Sequence, residues 1–212
     1  MRTPSIAVTL LILSAGVLSA QRWEVGASAG YSLWNNVKVT NGAASGTTGF
    51  GSGVAFGALL GNDINRHFGG EVRYTFIQDD LRVSSGSTKA TAAGQSHAVH
   101  YDILVHAGSK SESVRPFFAA GAGVKYYRGT GAEAAFQPLS NLAVLTHTSE
   151  AQPLISVGGG VKFPISRRAL VRVDFRDYVT PYPGNLLALP PNSRGVGWLH
   201  NFIVMVGVSG LR

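Results

Sequence analysis

Eight segments of this chain alternate apolar and non-apolar residues, and this period of two limits the possible folds more than any other feature. In the clearest segment Val72, Tyr74 and Phe76 share one face, whereas Glu71 and Arg73 share the other. Successive side chains point to opposite sides of a β-strand, which a helix does not allow. The pattern therefore predicts an all-β protein.

The connections between the predicted strands alternate between short and long. We predict strands at about 22–34, 50–62, 67–80, 97–109, 115–128, 152–163, 169–180 and 197–210. The short connections are 63–66, 110–114 and 164–168, and the long ones are 35–49, 81–96, 129–151 and 181–196. An even number of strands, with tight turns at one end and long loops at the other, is typical of a transmembrane up-and-down antiparallel β-barrel.

The two faces of the predicted strands differ in a way that fits a barrel in lipid. One face carries no charge, and the other carries glycine and charged residues, which suit the narrow interior of an eight-stranded barrel. The charges expected in the lumen are Glu24, Glu71, Arg73, Asp102, Lys125, Lys162, Arg172, Asp174 and Arg176. Because a buried unpaired charge is costly, we expect these residues to form salt bridges across neighbouring strands.

Two functions are compatible with such a network. It can fill the lumen as a polar core, or its pairs can rearrange and open a narrow gated channel. The small interior of an eight-stranded barrel favours the filled lumen and argues against a large open pore.

Aromatic residues fall near the ends of the predicted strands, as expected for girdles at two membrane interfaces. The long-loop end has Trp34, Phe50, Phe76, Tyr126, Tyr127, Tyr178, Tyr182 and Trp198. The short-turn end has Trp23, Phe68, Phe117, Phe118 and Phe163.

The N-terminus predicts export from the cytoplasm. Arg2, an apolar run over 6–13 and small residues up to Ala20 form a signal peptide at 1–20, which leaves a mature barrel domain at 21–212. No later stretch is long and apolar enough for a membrane helix.

The chain has no cysteine, which excludes a lipoprotein anchor and thiolate metal ligands. Its net charge of +7 comes without a Lys/Arg-rich run, so we expect no nucleic-acid partner.

The stretch from Val157 to Tyr178 comprises a glycine-rich strand, a tight turn and a strand ending in Arg-Asp-Tyr. It resembles the late hairpin of the eight-stranded outer-membrane β-barrel family, the OmpA/OmpX-like and opacity-type transmembrane domain. The resemblance covers essentially the whole predicted mature chain. It implies an outer-membrane protein with short periplasmic turns, extracellular loops, and a structural or surface-interacting role without catalysis or cofactor. The expected partners are lipopolysaccharide, phospholipid and the barrel assembly machinery, and a monomer is expected.

Basic residues gather at the short-turn end. The residues expected to contact anionic phospholipid there are Arg22, Arg66, Arg115, Arg167 and Arg168, with Lys110 and Arg212 nearby. The alternative is that these charges only keep the turns soluble.

Two short motifs are candidate sites. His147 and Ser149 are two residues apart, as are the base and nucleophile of the lipid A deacylase barrels that this His-x-Ser resembles, but Glu150 would point away from them. This makes a lipid A-modifying hydrolase an alternative function. His97 and His100 are three apart on a strand and face opposite sides, so we expect no metal site.

A further alternative is a soluble periplasmic barrel of lipocalin type that holds a small apolar ligand. It requires apolar side chains inside and charges outside. Arg73, Arg172 and Arg176 would then face bulk water.

Overall fold

The computed structural model describes residues 22–107, 114–134, 136–191, 193–194 and 197–212. The predicted signal peptide at 1–20 and Lys110 lie outside these ranges. No helix within them has the length and apolar character needed to cross a membrane.

Eight long strands close into one antiparallel barrel, so the predicted fold class is confirmed. They are β1 (Arg22–Asn35), β4 (Gly53–Asp63), β5 (Phe68–Ile77), β8 (Gly94–His106), β9 (Arg115–Gly129), β11 (Ser149–Pro164), β12 (Ala169–Pro181) and β14 (Trp198–Leu211). Around the barrel the strands follow the order β1, β14, β12, β11, β9, β8, β5, β4. β1 pairs with both β14 and β4, so the barrel strands leave no free edge.

The alternation along each strand separates a lipid face from a lumen face. On β8, Val99, Tyr101 and Ile103 are about half exposed, whereas His100 and Asp102 between them are buried. In a soluble barrel apolar side chains point inward and charges outward. The opposite arrangement seen here is the one that a barrel adopts in lipid.

The long connections fold into six short strands that the sequence reading missed. These are β2 (Val37–Asn41), β3 (Ala44–Phe50), β6 (Leu81–Ser85), β7 (Thr88–Ala92), β10 (Val144–Leu145) and β13 (Leu187–Ala188). β2, β3, β6 and β7 form one small sheet, and β10 pairs with β13. Gly42 and Gly86 open the β2–β3 and β6–β7 turns with φ of 59° and 55°, at the position where type II′ hairpins use glycine.

These strands and loops enclose an apolar cluster at the long-loop end, which we call the loop cap. Its buried members are Val39, Phe50, Leu81, Val83, Tyr127, Leu139, Leu142, Ala143, Leu145, Tyr182, Leu186, Leu187 and Leu199. The rings of Phe50 and Tyr127 stack with centroids 5.0 Å apart. The loops are therefore a packed layer across the mouth of the barrel.

The predicted aromatic girdles are partly wrong. Phe76, Tyr126, Trp198, Trp23, Phe68, Phe118 and Phe163 lie at least partly exposed. Phe50, Tyr127 and Tyr182 are instead buried in the loop cap, and Phe117 and Tyr178 are buried in the lumen. The reason is strand parity, that is, whether a residue has an odd or an even position along its strand. Position along the strand sets the depth of a residue in the membrane, and parity sets whether its side chain faces lipid or the lumen.

Candidate functional site

Charged side chains of five strands meet in the short-turn half of the lumen. Eight of the predicted lumen residues lie there, Glu24, Glu71, Arg73, Asp102, Lys162, Arg172, Asp174 and Arg176, and none is more than 5% exposed. We call this set the charge network. It holds four carboxylates and four basic side chains, so its formal charges balance.

Glycine on the neighbouring strand makes room for these large side chains. Gly121 pairs with Asp102, and Gly158 pairs with Arg176. A Cβ atom on Gly121 would lie 2.3 Å from Asp102 Oδ1, and one on Gly158 would lie 2.9 Å from Arg176 Cα. Both distances are shorter than packed atoms tolerate, so the charged lining depends on glycine opposite it.

Arg172 on β12 is the centre of the charge network. Its Nε and Nη2 donate to the two oxygens of Asp174, at 2.8 and 2.9 Å. Its Nη1 donates to Glu24 Oε1 at 2.9 Å and to Glu71 Oε2 at 3.0 Å. One guanidinium thus joins β12 to β1 and β5, using the planar fork of donors that lysine lacks.

Two further arginines surround Glu71. Arg73 Nη2 lies 2.6 Å from Glu71 Oε1 and 3.3 Å from Asp174 Oδ1. Arg176 Nη2 lies 3.2 Å from Glu71 Oε1, and its Nε lies 3.3 Å from Asp102 Oδ2. A buried carboxylate is tolerated only where cations and donors replace its lost hydration. Glu71 has three guanidinium groups for this purpose.

A chain of hydrogen bonds leads from the charge network toward the middle of the lumen. His100 Nδ1 lies 2.9 Å from Asp102 Oδ1, and His100 Nε2 lies 2.7 Å from the Tyr178 hydroxyl. That hydroxyl is 3.0 Å from Thr75 Oγ1. The alternation along β8 predicts His100 in the lumen. Tyr178, which has the same strand parity as Arg176, was not predicted there.

At the short-turn end, two ion pairs line a recess of about 50 Å³ that is bounded by Pro164, Leu170 and Leu211. Lys162 Nζ donates to Glu24 Oε2, and Arg115 Nη1 donates to Asp63 Oδ2 at 2.8 Å. The expectation that Arg115 contacts lipid is therefore wrong. Arg115 has the same parity on β9 as the buried Lys125, and it turns into the lumen, where it meets Asp63.

Phe117 closes the space beside the charge network. It is 5% exposed, and its ring centroid lies 5.2 Å from Arg172 Cζ and 5.6 Å from Arg176 Cζ. A guanidinium at this distance from an aromatic ring gains from the cation–π interaction. The ring therefore fills volume and stabilises the positive side of the network.

An apolar layer separates the charge network from the loop cap. It consists of the buried residues Ala55, Ile77, Ala98, Leu154, Tyr178, Ile203 and Met205. The lumen is thus closed by three successive layers, charged, apolar and loop-built, and the side chains of all three are buried.

The structure does not bring Lys125 into the charge network. Its Nζ donates to Asn201 Oδ1 at 2.8 Å and lies 4.2 Å from the centroid of the Trp34 ring. It is fully buried near the loop cap, on the far side of the apolar layer. Among the described residues it forms no salt bridge with a carboxylate.

Asp79, in the connection between β5 and β6, is a buried carboxyl that the sequence reading did not single out. Ser96 Oγ donates to its Oδ2 at 2.7 Å, whereas its Oδ1 has no hydrogen-bond partner in the described structure. Burial raises the pKa of Asp79 to about 7, and the charge of Lys125 only partly opposes this rise. The base of the loop cap therefore contains a carboxyl that titrates near neutral pH.

The catalytic candidates do not form a site. His147 and Ser149 are both exposed, and no hydrogen bond joins the His147 ring to the Ser149 hydroxyl in the described structure. Glu150 accepts from Asn185 N at 2.8 Å instead of orienting His147. The arrangement lacks the contact between base and nucleophile that hydroxyl activation requires.

The two histidines of the H-x-x-H pattern face opposite sides of β8. His97 Nδ1 lies 2.8 Å from the Tyr74 hydroxyl on the lipid side, whereas His100 is in the lumen. No group of three or more metal-ligating side chains occurs among the residues that the structure describes.

The remaining basic residues of the short-turn end have different surroundings. Arg66, Arg167 and Arg168 are exposed, and the side chain of Arg22 lies outside the described part of the chain.

The lipocalin alternative is wrong, because Arg73, Arg172 and Arg176 are at most 1% exposed and the lipid face is apolar.

Comparisons with solved structures agree with this architecture. Neisserial surface protein A is 13% identical, with 89% of this chain and 96% of that chain covered and a TM-score of 0.52. The outer membrane protein AlkL, solved in DMPC bilayers, is 12% identical, with 89% and 90% covered and a TM-score of 0.50. The N-terminal barrel domain of Pseudomonas aeruginosa OprF is 10% identical, with 89% and 97% covered and a TM-score of 0.46. At these identities the likeness concerns the fold alone.

The sequence comparison gives the family. No curated protein matches the chain. A family model described as outer membrane protein beta-barrel domain, however, matches residues 5–209, nearly the full length. The chain therefore belongs to the outer membrane protein β-barrel domain family and is a protein of the outer membrane.

Proposed function

We propose that this protein is a closed, non-enzymatic barrel with a structural or surface-interacting role in the outer membrane. The observation that carries the proposal is the filled lumen, in which the charge network, the apolar layer and the loop cap follow one another. An eight-stranded barrel has an interior that side chains can fill completely. As partners we propose lipopolysaccharide, phospholipid and the assembly machinery that inserts the barrel, and we propose a monomer.

The surface-interacting role is supported by the outer loops. Their described residues contribute side chains to the loop cap, so the outer surface lies over a packed apolar cluster. Phe136 is 80% exposed on that surface, and it lines a cavity of about 150 Å³ with Ala90, Ala132 and Leu145. An exposed aromatic ring beside an apolar cavity is typical of a contact site.

The absence of catalysis is supported by the surroundings of His147 and Ser149, between which no hydrogen bond is found in the described structure. The test is the mass of lipid A extracted from cells before and after expression of the protein. An unchanged mass is expected. A loss of acyl chains that disappears in Ser149→Ala would contradict the proposal.

Single-channel recording in planar bilayers distinguishes the closed barrel from the gated channel. We expect the wild-type protein to show no conductance steps. Phe117→Ala, Ile203→Ala and Leu186→Ala together remove one side chain beside the charge network, one from the apolar layer and one from the loop cap, and this triple variant should leak. Phe118→Ala, on the lipid face next to Phe117, is the matched control and should stay silent. Discrete voltage-dependent openings of the wild type would favour the gated channel.

A further inference from the structure

A recess at the periplasmic end is lined by arginines that the charge network does not use. Arg167 and Arg168 lie in the turn between β11 and β12, and Arg212 follows the end of β14. With Leu211 they surround an open space of about 620 Å³. Three guanidinium groups from two parts of the chain thus face one volume.

These guanidinium groups are free to bind an anion. In the described structure Arg167, Arg168 and Arg212 are exposed and form no ion pair. Arg115, by contrast, is buried and bound to Asp63. Exposed arginines without a carboxylate partner retain all their donors for a ligand.

Backbone hydrogen bonds fix the walls of the recess. Leu211 N donates to Arg168 O at 2.8 Å, and Arg212 and Trp23 exchange two bonds of 2.9 Å each. The turn is held by Ile165 N and Ser166 N, which both donate to Ala169 O. The arginines therefore project from ordered backbone. Only their side chains have to become ordered when a ligand binds.

Apolar residues place this recess at the level of lipid headgroups. β-branched side chains are exposed in the described parts of the periplasmic turns: Ile64 is 57% exposed, Val114 46% and Ile165 64%. Exposure of these apolar side chains to water is unfavourable. Their burial at the boundary between headgroups and acyl chains lowers the free energy. Arginines beside such residues can reach the phosphate layer while their stems stay in apolar surroundings.

From this combination, and resting on the phospholipid partner of the proposed function, we propose that Arg167, Arg168 and Arg212 bind the phosphate group of an anionic phospholipid in the inner leaflet. The planar guanidinium can donate two parallel hydrogen bonds to phosphate oxygens. Leu211 is the apolar residue of the recess lining, and the exposed Ile165 belongs to the same turn as Arg167 and Arg168, so the glycerol and the first acyl carbons of a lipid would meet apolar side chains there. This apolar side of the recess is the reason for assigning a lipid and not free phosphate.

Native mass spectrometry of the detergent-solubilised protein tests the proposal. Phosphatidylglycerol, phosphatidylcholine and inorganic phosphate are added in separate arms. We expect the wild type to retain phosphatidylglycerol in preference to the zwitterionic lipid, and inorganic phosphate not to displace it. Arg167→Gln with Arg168→Gln should lower this retention roughly tenfold or more.

The matched control is Lys38→Gln with Lys89→Gln, which removes the same charge from the extracellular loops. It should retain phosphatidylglycerol as the wild type does. A heat-dependent shift in gel mobility shows that each variant is a folded barrel. Equal retention of both lipids, an equal loss in the control, or displacement by inorganic phosphate at equal concentration would overturn the assignment.

Discussion

Arg172 and Glu71 lie 101 residues apart in the chain, yet Arg172 Nη1 donates to Glu71 Oε2 at 3.0 Å across the lumen. Their strands, β12 and β5, occupy opposite walls of the barrel, with three strands between them in either direction. Hydrogen bonds of the sheet cannot connect such distant strands. The ion pair therefore braces the barrel from inside.

Glu71→Gln should destabilise the barrel by roughly 3–5 kcal/mol, because it leaves three buried guanidinium groups short of one negative charge. The measurement is the free energy of unfolding in urea, with the barrel inserted in lipid vesicles. Glu133→Gln, at an exposed position of the extracellular loops, should change that free energy little. Adding Arg172→Met to Glu71→Gln should cost less than the sum of the two single changes, because their effects are coupled. Strictly additive losses would show that the two side chains do not depend on each other.

Gly123→Val should prevent the barrel from closing. A Cβ atom at this position would lie 2.0 Å from Val99 O and 2.5 Å from His100 Cα, and neither backbone atom can move without breaking the β8–β9 ladder. The expected result is loss of the heat-dependent gel shift. Gly184→Val is the control, since nothing lies within 4 Å of its added Cβ. A folded Gly123→Val barrel would mean that the two strands can separate locally.

Strand parity explains both the success and the errors of the sequence-based predictions. The alternation in β12 is enough to predict that Arg172, Asp174 and Arg176 share one face. The same rule, counted from Lys125, predicts that Arg115 faces the lumen, whereas its position beside a turn favours the rim and is misleading here. Which carboxylate meets which cation is a different problem. Lys162 and Glu24 are 138 residues apart, and only closure of the barrel brings them together.

The loop cap was missed because its signals are local and weak. Gly42-Ala43 and Gly86-Ser87 stand between short runs, and a pair that begins with glycine is typical of the two-residue type II′ hairpin. Leu139, Leu142 and Leu186 lie in long connections whose apolar residues show no sustained alternation. Their packing depends on contacts between connections that are far apart in sequence. The sequence of any single loop therefore predicts a long connection but not the packed cluster.

Asp79→Asn should make the stability of the barrel less dependent on pH. The folded protein keeps a proton on Asp79 up to about pH 7, whereas the unfolded chain releases it near pH 3.8. Rising pH therefore removes stability from the wild type across this window, and the loss is complete above the folded pKa. The advantage of Asp79→Asn over the wild type should grow from pH 4 to 7 and then level off. Urea midpoints measured across this range provide the test, with the exposed Glu133→Gln as control. A constant difference would contradict the raised pKa of Asp79.

Leu186→Asp should open the loop cap without unfolding the barrel. Leu186 is fully buried in the cap, and a carboxylate there loses its hydration without gaining a partner. Trypsin should then cut faster at Arg82 and Lys89, because proteolysis follows the population of the open form. The heat-dependent gel shift should remain. Ser140→Asp, at an exposed position next to Leu139, should leave the cleavage rate unchanged. Loss of the gel shift in Leu186→Asp would instead mean that the cap and barrel fold as one unit.

Val99→Arg tests which surface of the barrel contacts lipid. Val99 is 51% exposed on β8, and in the bilayer that exposed surface faces acyl chains. An arginine near the midplane of an outer-membrane barrel costs about 2–4 kcal/mol, whereas the same residue in water costs almost nothing. The free energy of unfolding from lipid vesicles should therefore fall by about this amount for Val99→Arg. Phe136→Arg, on the extracellular loops, should remain close to the wild type. Position 99 faces acyl chains, whereas position 136 faces water. Equal changes in the free energy of unfolding for the two variants would therefore contradict the proposed position of the barrel in the membrane.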